Sequence, residues 1–376
     1  MKSSSRKLTS GPKAEAPLWK SAETPAEALR IVAIGGGTGL SALLRGLKQF
    51  AEPARKRRKA ARGGSGAYPR LDITAVVTVT DDGGSSGRLR RELAMLPPGD
   101  IRNCMVALSE DEALLARLFQ YRFSGGHGLK GHSFGNLFLT AMTRLTGDFA
   151  QAVKLSCEVL ASRGRIYPST AANVGLEARL ADGSRVEGET RISRSRTRIE
   201  RIFLKPRQCR PLEESLRAIA EADLICLGPG SLYTSVIPNL LVEGIPEAIR
   251  RSRALKAYIV NLMWQPGETM SYRASDHLEA IFDHAGHGLV DYAIVNTRPI
   301  AGELRRRYAA GRVFPVENDT PRLAEMGVTV VGRNLLAHAD KIRHDPAALA
   351  AAVLELAREA QRLRGAGLPA AASVAR

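Results

Sequence analysis

An apolar, β-branched run, RIVAI at 30–34, meets GGGTG and passes directly into the helical pattern LSALLRGLKQF. That order predicts strand, glycine turn and helix. A strand followed by a helix has to return to the sheet by a crossover, so this unit constrains the chain to strands laid parallel with helices over them. The rhythm recurs: LDITAVVTVT at 71–80, DLICLG, KAYIVNLM and DYAIVN read as strands, with EESLRAIAEA and stretches near 239–253 and 275–285 as helices. Helical patterns also cover 103–122 and 134–163, on either side of the glycine-rich FSGGHGLKGHS. The expected fold class is α/β, a Rossmann-like, mostly parallel sheet with helices on both faces.

Between 166 and 210 the texture alternates, and Asp182-Gly183 between two strand-like runs predicts a hairpin, so a small β-rich excursion is expected there. The expected organisation is a flexible basic tail over 1–29, a single ligand-binding domain over 30–345, and a C-terminal helix with a frayed tail over 346–376. Asp345 is placed to cap that last helix, with Pro346 at its first position. Residues 51–70 lack periodicity and are rich in charge, glycine and proline, which predicts an exposed insertion.

The formal net charge of +17 raises nucleic acid as a partner, so its location matters. Residues 1–30, 51–70 and 185–210 hold +15 of it, and the runs RKRRK at 55–59 and RSRTR at 194–198 have no interleaved aromatics for base stacking. Solvated loops are the expectation and nucleic acid is not an expected partner. The start has positive charge with no apolar stretch behind it, and no run approaches a membrane span, so a cytoplasmic location is expected. Cys104, Cys157, Cys209 and Cys226 stand far apart without a CxxC pair, as reduced thiols do.

Chemistry concentrates in loops that follow strands. Gly37-Thr38-Gly39-Leu40-Ser41-Ala42 fits GxGxxA in the required context, where glycines let backbone N–H groups approach a phosphate at a helix N-terminus. Asp81-Asp82-Gly83-Gly84-Ser85-Ser86 follows the second strand. Its carboxylates can serve a ribose, hold Mg²⁺ against a diphosphate, or form an Asx turn. Pro97-Pro98-Gly99-Asp100-Ile101-Arg102-Asn103 opens a helix with Asp100 placed as its cap, and Gly228-Pro229-Gly230-Ser231 offers a second phosphate cradle. Gln265-Pro266-Gly267-Glu268-Thr269 and Asn296-Thr297-Arg298 also fall just after strands. Five such loops at one sheet edge is where open α/β sheets bind ligands.

Gly131-His132-Ser133-Phe134-Gly135 matches GxSxG, but the polar loop before it supplies no strand to present a nucleophile, so His132, Ser133 and Asn136 read as lining or capping a helix. His277 and His284, seven apart, read as helix-surface residues rather than a metal pair.

Taken together, IGGGTGLSALLRGLK, VVTVTDDGGSSGRLR, PPGDIRNC, GHSFGN, LGPGSLYTSVIPNLLV, QPGET and DYAIVN resemble the gluconeogenesis factor family, the YvcK-type UDP-N-acetylglucosamine-binding proteins, over roughly 30–345. That family is similar in fold to the phospholactate transferase of deazaflavin-coenzyme synthesis. The resemblance implies a UDP-sugar site and a cytoplasmic regulatory role in cell shape and envelope homeostasis during growth on gluconeogenic carbon, with protein partners in envelope synthesis. The alternative is a Mg²⁺-dependent transferase of a nucleotide-linked phosphoryl group; Mg²⁺ is the one cofactor in view, and a homo-oligomer is left open. The ligand residues it implies are Gly36, Gly37, Thr38, Gly39, Asp81, Asp82, Ser85, Ser86, Asn103, His132, Asn136, Gly228, Gly230, Ser231 and Tyr272; Asn296 joins them from its place just after a strand, and Asp81 and Asp82 are the candidate metal ligands, with a ribose contact the alternative. Trp264 stands where relatives more often carry a small polar residue.

Overall fold

A computed structural model describes residues 28–51, 71–110 and 114–366. The expected N-terminal tail, the basic insertion and the frayed C-terminal end lie almost wholly outside the described residues. Ten strands are described: β1 Leu29–Gly35, β2 Leu71–Val77, β3 Arg165–Pro168, β4 Gly175–Leu180, β5 Arg185–Glu187, β6 Ile199–Lys205, β7 Leu224–Leu227, β8 Leu255–Ile259, β9 Tyr292–Asn296 and β10 Thr329–Arg333. Seven form one sheet in the order β10-β9-β8-β7-β1-β2-β3. Every neighbouring pair is parallel. β1 and β2 read as near-continuous apolar runs because helices cover both their faces, leaving all but one residue of each buried.

The chain winds outward from β1 through β2 to β3, then returns to β1's other side at β7 and winds outward to β10. The order therefore reverses between β1 and β7, and the loops leaving these two strands splay apart into a crevice. Helix Gly37–Lys48 begins at that crevice and buries Leu40, Leu43, Leu44 and Leu47, a stripe at helical spacing. The last helix, Pro346–Gly365, packs against it and begins where expected, with Asp345 Oδ1 accepting from Ala348 N at 2.8 Å.

Several expectations need correction. The helix expected over 134–163 breaks at Gly147, in the left-handed region at φ 72°, and Asp148 caps a new helix Phe149–Val159 by accepting from Gln151 N. That expected over 103–122 is two helices, Gly99–Leu108 and Leu114–Gln120. The helix expected near 239–253 is two short helices, Ile237–Leu240 and Ile245–Arg251, preceded by a π-helical turn, Leu232–Val236. The β-rich excursion is narrower than read: β3 belongs to the main sheet, and the antiparallel sheet β5-β4-β6 spans 175–205. Asp182 does form its turn, accepting from Ser184 N at 3.0 Å. β10 was not foreseen, because TVVGR is short, half-buried throughout and interrupted by Gly332 at the sheet edge.

Candidate functional site

The loops after β1 and β7 are pressed together at the crevice. Gly37 takes φ +66°, a conformation that favours glycine, and its carbonyl accepts from Ser41 Oγ at 3.0 Å. A Cβ on Gly39 would fall 2.4 Å from the Pro229 carbonyl oxygen, so the two loops approach at a distance only glycine allows. Asn239, fully buried, ties them further: its Nδ2 donates to Gly35 O at 3.2 Å and Ser235 O at 2.7 Å. Gln265 Nε2 donates to Ser231 Oγ at 2.8 Å, bringing the loop after β8 to the same place.

Above these loops lies a cavity of about 630 Å³. Of the residues expected to bind ligand, Gly36, Gly37, Thr38, Gly39, Asn103, Gly230 and Ser231 line it. Four arginines that motif reasoning did not place together line it as well: Arg45, Arg102, Arg122 and Arg343. Arg102 is the most constrained of them. It is buried, and it donates to Ser133 Oγ and Asn103 Oδ1, each at 2.7 Å, which fixes its guanidinium plane. Backbone donors of glycine loops, a helix N-terminus and several guanidinium groups around one cavity are suited to a diphosphate.

The remaining expected residues lie beside the cavity rather than on it. Ser85, Ser86, His132 and Asn136 are all buried and form one network: Ser85 Oγ is 2.9 Å from His132 Nδ1, and Asn136 Nδ2 donates to Ser85 Oγ at 3.1 Å and Ser86 Oγ at 3.3 Å. Burial, then Arg88, lowers His132, favouring the neutral ring. Ser133 caps helix Phe134–Thr146, accepting from Asn136 N at 3.2 Å, so GxSxG here is a helix start. Gly228, at φ +78°, forms the turn under the second cradle. Tyr272 Oη is 2.7 Å from Tyr233 Oη, under Arg198, in a separate cavity of about 300 Å³. Asn296 lines a third cavity of about 440 Å³ and shapes the loop after β9, accepting from Arg298 N and Leu335 N. His277 is fully buried rather than on the helix surface, with Nδ1 2.8 Å from Arg273 O.

The two adjacent aspartates have different neighbours. Asp82 Oδ1 accepts from Thr190 N at 2.9 Å and Thr190 Oγ1 at 2.7 Å, which fastens the small sheet to the ligand edge. Asp81 Oδ1 accepts from Gly83 N at 2.8 Å, and its other oxygen abuts Gly99. Asp100 does not cap its helix; Pro98 holds that position, and Asp100 lies beneath the first glycine loop, accepting from Gly37 N–H. Burial, then the Asp81 carboxylate, pushes Asp100 up to about 7. Burial and the Asp81 and Asp100 carboxylates push Glu189 up to about 9. Glu268, from QPGET, is buried and joins the π-helical turn to the end of helix Glu189–Ile192, accepting from Tyr233 N at 3.1 Å, Thr234 Oγ1 at 3.1 Å and Ser193 Oγ at 3.3 Å.

Residues 31–336 match the family described as 2-phospho-L-lactate transferase CofD. The gluconeogenesis factor of Halalkalibacterium halodurans is 48% identical over 326 residues, which cover 86% of this chain and 95% of that protein. The gluconeogenesis factor of Bacillus subtilis is 47% identical over 331 residues, covering 88% and 98%. The chain belongs to the gluconeogenesis factor family. A crystal structure of a Bacillus halodurans protein matches the family fold found here with a TM-score of 0.79 at 48% identity, covering 86% of this chain and 99% of that one. Within this gluconeogenesis factor fold, no helix among the described residues is long and apolar enough to cross a membrane.

Proposed function

We propose that the protein binds a nucleoside diphosphate sugar, UDP-N-acetylglucosamine, across the β1/β7 crevice and acts as a cytoplasmic regulator. In that role it couples the ligand's abundance to cell shape and envelope homeostasis during growth on gluconeogenic carbon. The observation that carries this reading is the cavity where two glycine loops and four arginines converge. Ser133, the serine of the GxSxG match, is committed to Arg102 and to its helix cap and does not line the cavity. The gluconeogenesis factor relatives supply the physiological side of the reading. The remaining expected ligand residues act by holding the loops, as Asp82, Ser85, Ser86 and Asn136 do. Calorimetry with UDP-N-acetylglucosamine, GDP and NAD tests it: micromolar affinity for the UDP-sugar above the others is expected, and no binding of any UDP-sugar at millimolar ligand would overturn it.

A second reading, a Mg²⁺-dependent transferase, is favoured by the half-buried carboxylates beside the cavity. Among the described residues no three His, Cys, Asp or Glu side chains are arranged to hold a metal. The Asp81 carboxylate, however, is close enough to Asp100 to raise it, and these two side chains would be the ones to hold a cation. Bound there, Mg²⁺ would neutralise the diphosphate, while Asp82 would keep the small sheet in place. Product analysis with nucleotide donors and acceptors, with and without Mg²⁺, decides between the readings: turnover lost in Asp81→Asn while UDP-sugar still binds would favour the enzyme.

A further inference from the structure

The ligand cavity does not end at the arginines. A neighbouring cavity of about 440 Å³ shares Asn261, Leu262 and Trp264 with it, so Trp264 stands in the wall between two compartments. Trp264 is held through both its indole and its backbone. Its Nε1–H donates to Tyr272 O at 3.0 Å, its backbone N–H donates to Phe314 O at 2.9 Å, and its ring meets Phe314 edge-on with centroids 5.2 Å apart. An aromatic ring fixed in this way presents area to a ligand at little entropic cost.

The groups around the second compartment differ from those in the first. Arg298 and Arg305 line it, and the side chain of Arg305, on the helix Gly302–Ala310, is exposed. Asn318 lines it too; its Nδ2 is committed to Asn296 O at 2.7 Å, which leaves its Oδ1 to accept from a ligand. Guanidinium and amide groups around an aromatic wall suit a hydroxyl-rich ring, whose C–H face stacks on the indole while its hydroxyls meet the polar groups. The first compartment carries a small apolar strip, Ala42, Val106 and Ala107, beside the phosphate-binding loops, a bed suited to a flat base. A sugar nucleotide has a base at one end of its diphosphate and a sugar at the other, and the two compartments adjoin at their shared lining of Asn261, Leu262 and Trp264.

We propose that the second compartment receives the hexose of the nucleotide sugar, with Trp264 as its stacking platform and the residue that sets sugar preference. This rests on the nucleotide-sugar reading above, and the experiment separates the two. The full chain and its Trp264→Ala, Trp264→Phe and Arg305→Ala variants are titrated with UDP and with UDP-N-acetylglucosamine. Trp264→Ala and Arg305→Ala should weaken the UDP-sugar by about ten-fold, the scale of one aromatic or charge-assisted contact. Trp264→Phe should weaken it less; UDP affinity should stay unchanged in Arg305→Ala and fall less than UDP-sugar affinity in the two Trp264 variants. Trp264 is one of two tryptophans, so in a Trp19→Phe background its emission should change on adding the UDP-sugar and not on adding UDP. Arg305→Ala alters an exposed side chain and keeps the test valid should Trp264→Ala fail to fold. Equal losses for UDP and UDP-sugar would put the base against Trp264 and overturn the proposal, as would no loss in Trp264→Ala and Arg305→Ala. A wild-type chain that binds neither compound would overturn the function reading itself, whereas one that binds both with equal affinity sinks only the sugar compartment.

Discussion

Replacing Gly39 with alanine probes the contact on which the candidate site is built. The added Cβ would stand 2.4 Å from Pro229 O, 2.8 Å from Pro229 C and 3.1 Å from Gly230 N, all backbone atoms that cannot swing aside as a side chain would. Ordinary contact lies at 3.4 Å or beyond, so the two loops must separate by about 1 Å. Overpacking of this kind costs about 1–3 kcal/mol of stability. The consequence for binding is larger, because a diphosphate gripped by both loops loses at least one charge-assisted hydrogen bond, about 1.5–3 kcal/mol or roughly 10- to 150-fold in affinity. Thermal unfolding and calorimetry on the same samples separate the two effects. Gly302→Ala is the control, since a Cβ there meets nothing within 4 Å. A Gly39→Ala protein that binds UDP-N-acetylglucosamine within two-fold of wild type would refute the reasoning.

Asp82→Ala should lower stability by about 1–3 kcal/mol, because it removes an acceptor from both Thr190 donors, and should reduce UDP-sugar affinity less than Gly39→Ala does; urea unfolding and calorimetry check both. The contributions of Asp100 and Glu189 to stability should fall as pH rises from about 4, up to about 7 for Asp100 and about 9 for Glu189. Asp100 and Glu189 keep their protons in the folded state up to about 7 and 9, whereas the unfolded chain releases them near 3.8 and 4.5. The folded state therefore binds more protons across that window, and each such group costs up to about 1.4 kcal/mol per pH unit. Melting temperatures of wild type, Asp100→Asn and Glu189→Gln across this range test it, and profiles of the same slope in all three would contradict the assignment.

Much of the architecture was legible because its signals are local. The β-branched run into GGGTG, the continuous apolar strands and the Asp345-Pro346 start each report a few neighbouring residues, and each appears as read. What was not legible depends on distance. Arg45, Arg122 and Arg343 come from separate elements and converge only when the sheet is wound, so no motif joins them. Adjacent Asp81 and Asp82 read as a pair, yet successive residues point apart, and the fold gives one to Gly83 and the other to Thr190, more than a hundred residues away. Glu268 was visible in QPGET, but its task of clamping the small sheet to the π-helical turn was not.

The central claim is that the diphosphate lies across the point where strand order reverses, and a crystal structure of the full chain with UDP-N-acetylglucosamine and Mg²⁺ tests it most directly. Phosphate density is expected between Gly37–Gly39 and Gly230–Ser231 within reach of Arg102, and sugar density beside Trp264. Ligand density confined to the separate cavity of Tyr233, Tyr272 and Arg198, with the glycine loops bare, would contradict it.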